Sequence, residues 1–115
     1  HDELRRQRQM CIRDRYTIDA SILLEKMNKK FDIIFLDADK KNYVNNLNFI
    51  PNLLNKNGIL ITDNVLWYGK VIGKISKRDK ETLAIHEFNK KLKKSKQFQT
   101  IILPLRDGVS ISIKL

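Results

Sequence analysis

At 115 residues the chain is at most one domain, and a hydrophobic content of 42% supports a core of modest size. No run approaches the ~20 apolar residues of a membrane span and no charged-then-apolar secretory signal is present, so a cytoplasmic protein is expected. A single cysteine, Cys11, excludes an internal disulfide framework, and a formal charge of +10 makes a basic surface the main compositional fact.

Residues 1–15 read as a non-native or disordered leader. Met10-Cys11-Ile12-Arg13-Asp14-Arg15 back-translates to a stretch matching a transposon-end adaptor of sequencing libraries, and such a scar is set aside in fold reasoning. Without it, 18 basic and 10 acidic residues remain, a charge of +8. That excess fits either a solvated lysine-rich surface or attraction to anionic partners, nucleic acid among them.

From Tyr16 onward strand and helix signals alternate. Residues 21–29 form a short amphipathic helix with Ile22, Leu23, Leu24 and Met27 inward and Ser21 or Asp19 as its cap. Residues 33–36 have the length and β-branched content of a buried parallel strand. Tyr43, Leu47, Ile50 and Leu54 recur at helical spacing, with Pro51 marking a kink or an early stop. Asn57-Gly58 then supplies a left-handed helix terminator, and residues 59–62 are a second strand. Residues 65–73, apolar but punctuated by glycine, read as a loop over the strand ends. Residues 80–92 form an amphipathic helix with Leu83, Ile85, Phe88 and Leu92 on one side and His86 on the solvated side. Two strands, 99–105 and 109–113, flank Arg106-Asp107-Gly108, where Asp-Gly signals a hairpin. The expected fold is α/β, with parallel strands ending in an antiparallel hairpin.

Two acid-bearing strand ends stand out: Phe35-Leu36-Asp37-Ala38-Asp39-Lys40 and Ile61-Thr62-Asp63-Asn64. Consecutive strands of a β-α-β unit are parallel and often adjacent, about 4.8 Å apart, so Asp37 and Asp63 are within reach of one ion. Ligands of open α/β sheets bind at this carboxyl edge. Asp37, Asp63 and Asn64 offer only oxygen, which suits a hard cation such as Mg²⁺, Ca²⁺ or Mn²⁺ and disfavours zinc. Lys40, three residues beyond Asp37, would carry its ammonium charge at a cost beside such a cation, which favours proton acceptance. The plainer alternative is structural: Asp39 or Asn42 caps the next helix, and Asp63-Asn64 makes a turn.

Residues 31–43, from Phe31 to Tyr43, then 58–67, from Gly58 through Asp63-Asn64 to Trp67, then Leu103-Pro104-Leu105-Arg106-Asp107-Gly108, resemble the cation-dependent O-methyltransferases of the caffeoyl-CoA and catechol type. The likeness runs from about Tyr16 to Leu115. It implies that residues 16–115 are the C-terminal part of a Rossmann-like, class I methyltransferase domain that uses S-adenosylmethionine and a divalent cation. By resemblance Asp37, Asp63 and Asn64 would hold the metal and Lys40 would be the catalytic base. Asp39 and a backbone group at Ala20 would contact S-adenosylmethionine, and Tyr68 would contact substrate, a small hydroxylated aromatic. Family members usually form dimers, so a homodimer is implied at full length. The family's glycine-rich loop after its first strand and the ribose-binding acid after its second have no counterpart in this sequence. The chain alone is therefore expected to bind cofactor weakly or not at all. Two alternatives remain: the same chemistry on a hydroxylated uridine of tRNA, which the basic charge would suit, and a non-catalytic basic binding module or inactive fragment.

Overall fold

The computed structural model describes residues 20–115. The expected leader, and the strand-like Tyr16-Thr17-Ile18, lie outside the described residues. The elements in chain order are α1 (Ala20–Lys26), β1 (Phe31–Leu36), a 3-10 turn (Lys40–Asn42), α2 (Tyr43–Leu47), α3 (Ile50–Leu53), β2 (Leu54–Asp63), α4 (Lys80–Lys94), β3 (Phe98–Leu103) and β4 (Val109–Lys114). They build one four-stranded sheet of order β1-β2-β4-β3. β1 and β2 are parallel, whereas β4 runs antiparallel to both β2 and β3. The α/β sheet with a parallel pair and a hairpin ending is as the sequence predicts. Among the described residues no helix is long and apolar enough to cross a membrane.

One face of the sheet is covered by α4. Asp79 caps this helix, its carboxylate accepting from the Thr82 backbone N–H at 3.2 Å and from the Thr82 hydroxyl at 2.7 Å. Lys91, Lys93 and Lys94 in the last turn complement the negative end of the helix dipole. Thr82, Ile85, Phe88 and Leu92 are buried on one stripe of α4 and meet a core that includes Leu36, Tyr43, Ile50, Leu54, Leu60 and Phe98. Within it the Tyr43 and Phe88 rings lie 5.2 Å apart at 55°, a tilted arrangement that places ring edge against ring face. Full burial of a side chain such as Phe88 contributes about 1.5–3 kcal/mol. His86 is exposed, as its place on the polar face predicts.

On the opposite face Ile33, Phe35, Ile101 and Ile113 are exposed among the described residues. Register aligns Ile33 with Ile59 and Ile113, and Phe35 with Ile61, Ile111 and Ile101, so seven apolar side chains share it. Ile33 and Phe35 are 61% and 58% exposed. β1 is an edge strand, one side of which has no partner among the described residues, and its outward side chains are exposed where its composition predicts burial.

Locally the structure departs from the expectation at the first helix and at Asn57-Gly58. The first helix ends at Lys26, and Ile22, expected inward, is exposed. The interruption expected at Pro51 is present: the second helical stretch is divided into α2 and α3, and Pro51 stands in the first turn of α3 where its missing N–H costs nothing. Asn57-Gly58 does not terminate a helix but lies within β2, where Asn57 adopts φ 66°. Phe31 pairs with Leu54 and Ile33 with Ile59, so the extra residues of β2 bulge out. A Cβ on Gly58 would sit 2.7 Å from the Asn55 carbonyl, which explains glycine there.

Candidate active site

Leu36 pairs with Thr62, so the next residues, Asp37 and Asp63, leave two adjacent parallel strands at the same level. Asp37 is 63% exposed, and its carboxylate lies 3.8 Å from the Lys40 ammonium, which is 9% exposed. Lys40 also donates to Asn64 Oδ1 at 3.4 Å and to the Tyr43 hydroxyl. The Asp37 and Asn64 oxygens thus face one nitrogen although the residues lie on different strand ends. Asp63 turns Oδ1 back to accept from the Asn64 backbone N–H at 2.8 Å, which leaves its other oxygen for a ligand. Four of the predicted residues, Asp37, Lys40, Asp63 and Asn64, are brought together.

The other three are placed differently. Asp39 caps the 3-10 turn by accepting from the Lys41 backbone N–H at 3.3 Å, the structural role that was its alternative. Ala20 opens α1, which packs on α2. Tyr68 is 78% exposed, on the loop after β2; its ring leans on Trp67, centroids 5.4 Å apart. That loop does lie over the strand ends: Val65 is buried, and the Trp67 ring stands 5.8 Å from the Lys40 ammonium. Asn64, Trp67 and Tyr68 all have left-handed backbones, at φ 61°, 47° and 57°. Clustering of such residues is a mark of functional segments.

Tyr43 was legible only as an apolar helix position, yet it joins both strand ends. Its hydroxyl accepts from Lys40 and donates to the Asp63 carbonyl at 3.3 Å, while its ring lies 4.5 Å under the ammonium. Burial, then the carboxylates of Asp37 and Asp63, push the phenol above its ordinary value, so it stays neutral and keeps its proton to donate. The signal that would have found it is spacing: Tyr43 follows Lys40 by three, one helical turn.

Two carboxylates and an amide oxygen are the donor set of a hard cation. Among the described residues no group of three His, Cys, Asp or Glu is placed to hold a metal, so a cation would depend on the Asn64 amide as third donor. Two of the three donors already show that geometry, since Lys40 draws Asp37 and Asn64 oxygens to within 4 Å of one positive centre.

A family model described as O-methyltransferase matches residues 11–115. The chain belongs to the O-methyltransferase family of the caffeoyl-CoA type. It is 30% identical over 99 residues to caffeoyl-CoA O-methyltransferase 1 of Arabidopsis thaliana, covering 82% of this chain and 38% of that enzyme. The Medicago sativa caffeoyl-CoA O-methyltransferase is 31% identical over 99 residues, with 82% and 40% covered. The solved SAH-bound methyltransferase PaMTH1 of Podospora anserina superposes with a TM-score of 0.77 at 26% identity, covering 94% of this chain and 53% of that one. The chain spans about two-fifths of the length of these two curated relatives, and its sheet corresponds to part of a class I methyltransferase.

Proposed function

We propose that the protein carrying this chain is an S-adenosylmethionine- and divalent-metal-dependent O-methyltransferase that acts on a hydroxyl of a small catechol-like or phenylpropanoid substrate, in the cytoplasm and as a homodimer. The observation that carries the reading is the convergence of Asp37, Asn64 and Lys40 from two adjacent strand ends. When bound, the cation would favour loss of the hydroxyl proton, and S-adenosylmethionine would supply an electrophilic methyl group. Asp37, Asp63 and Asn64 would hold the cation. Lys40 Nζ would take the hydroxyl proton, and Tyr43 holds that nitrogen in place against the strand ends. Trp67 and Tyr68 offer aromatic surface beside the lysine for a flat substrate. For S-adenosylmethionine this chain offers Asp39 and the backbone at Ala20, so the reading concerns the protein at its native length.

Asp63→Ala tests it. Methyl transfer to a catechol should fall by orders of magnitude, and a chelator should abolish the wild-type reaction while the fold persists by circular dichroism. Equal activity with and without chelator would sink the metal reading. A hydroxyuridine of tRNA is the second substrate reading, favoured by the net charge and by the lysines that close α4. Steep loss of RNA binding with added salt would support it.

A further inference from the structure

Asp107 sits in the turn between β3 and β4, 43 residues from Asn64, and its two carboxylate oxygens hold two different parts of the site. Oδ2 accepts from Asn64 Nδ2 at 3.3 Å. Oδ1 accepts from the Tyr68 backbone N–H. The main chain adds two links, from Leu66 N–H to the Asp107 carbonyl at 2.9 Å and from Val65 N–H to the Gly108 carbonyl at 3.2 Å. Gly108, at φ 84°, permits this approach: a Cβ there would fall 2.4 Å from Leu66 Cγ. The hairpin turn and the loop after β2 are therefore interlocked.

The chemistry fixes which way the Asn64 amide points. Lysine only donates and an ionised carboxylate only accepts. An amide lying between Lys40 and Asp107 satisfies both in one orientation, with Nδ2 toward Asp107 and Oδ1 toward Lys40. An aspartate in place of Asn64 would set two carboxylates against each other, which accounts for an amide as the third oxygen donor.

We infer that Asp107 is a positioning residue: it aims Asn64 Oδ1 into the cation site and ties the Tyr68 loop to that site, so that metal and substrate contacts are set by one carboxylate. The inference rests on the metal-dependent reading. Partners outside the ligand shell that orient a ligand typically affect metal affinity by about 10–100-fold.

The test uses the protein at native length and two independent readouts. Mn²⁺ affinity, from water-proton relaxation, should weaken about 10–100-fold in Asp107→Ala, less in Asp107→Asn, whose amide oxygen still accepts from Asn64. The Asn64 side-chain amide resonances, recorded without metal, should lose their hydrogen-exchange protection in Asp107→Ala. The reciprocal exchange, Asn64→Asp with Asp107→Asn, rebuilds the bond with its polarity reversed and should bind Mn²⁺ more tightly than Asn64→Asp alone. Wild-type Mn²⁺ affinity and unmoved Asn64 signals in Asp107→Ala would overturn the inference. Should Asp107→Ala fail to fold, an exchange pair no better than Asn64→Asp would overturn it as well. Absence of Mn²⁺ binding by the wild type would refute the metal reading, and the amide signals would still decide whether Asp107 orients Asn64.

Discussion

Replacing Tyr43 by phenylalanine isolates the hydroxyl that joins the two strand ends. The ring and its packing against Phe88 remain, so no cavity opens, and what is lost is one bond accepted from Lys40 and one donated to the Asp63 carbonyl. A hydrogen bond to a charged group contributes about 1.5–3 kcal/mol and a neutral one about 0.5–1.5. The 3.3 Å bond to Asp63 belongs at the weak end. The ammonium keeps Asn64 at 3.4 Å and Asp37 at 3.8 Å, which offsets part of the loss. A destabilisation of about 1–3 kcal/mol follows, against about 3–5 for Tyr43→Ala, where the ring goes too. Urea unfolding of the native-length protein at neutral pH, with an unchanged denaturant slope, measures it. A double-mutant cycle with Lys40→Met should show coupling of about 0.5–3 kcal/mol, because the two side chains touch. The phenol's pKa is raised in the fold, so the stability it contributes is complete below the unfolded value of 10.0 and is lost as pH rises through the folded value. Tyr43→Phe should remove that alkaline decline. A cost below about 0.5 kcal/mol together with no coupling to Lys40 would refute the reasoning.

Lys40→Met should lower turnover far more than it weakens cofactor binding, and raising pH should restore part of it by ionising the substrate unaided; unchanged turnover at neutral pH would reduce the lysine to a structural cation. Asp79 is held below the ordinary carboxylate range by the Thr82 hydroxyl and backbone N–H, so its stabilisation is present above the unfolded pKa and lost as pH falls through the folded one. Asp79→Ala should accordingly lower the melting temperature at pH 7, and the difference from the wild type should shrink as pH falls through the acid range, as read by circular dichroism. The 115-residue chain alone should self-associate through the exposed apolar face of its sheet and the edge of β1 that no described strand pairs. Sedimentation should detect this, and Phe35→Lys with Ile101→Lys should suppress it; a monomer by both chains would show that the face is covered in solution.

The order of elements was legible because it rests on local signals: apolar spacing of 3.6 in α4, short β-branched runs for β1 and β2, and Asp107-Gly108 for the final hairpin. The meeting of Asp37 with Asp63 was legible too, since a short β-α-β unit leaves adjacent parallel strands little alternative. Asn57-Gly58 reads locally as a helix end because a left-handed residue serves a bulge as well as a helix terminus, and only the pairing of Phe31 and Ile33 with Leu54 and Ile59 decides between them. Composition made β1 a buried strand, but burial belongs to what packs against a side chain, and Ile33 and Phe35 stay exposed among the described residues. The roles of Tyr43 and Asp107 were hidden for the same reason. A phenol at a helical position and an aspartate in a turn look ordinary along the chain, and their work is done across it. Tyr43 reaches Asp63 across 20 residues and Asp107 reaches Asn64 across 43. The sequence by itself determined which oxygen donors and which lysine stand at the strand ends, because these follow from residue type and strand length. Only the tertiary structure decided how the lysine and the amide are aimed, because that depends on hydrogen bonds between segments whose register no local pattern encodes.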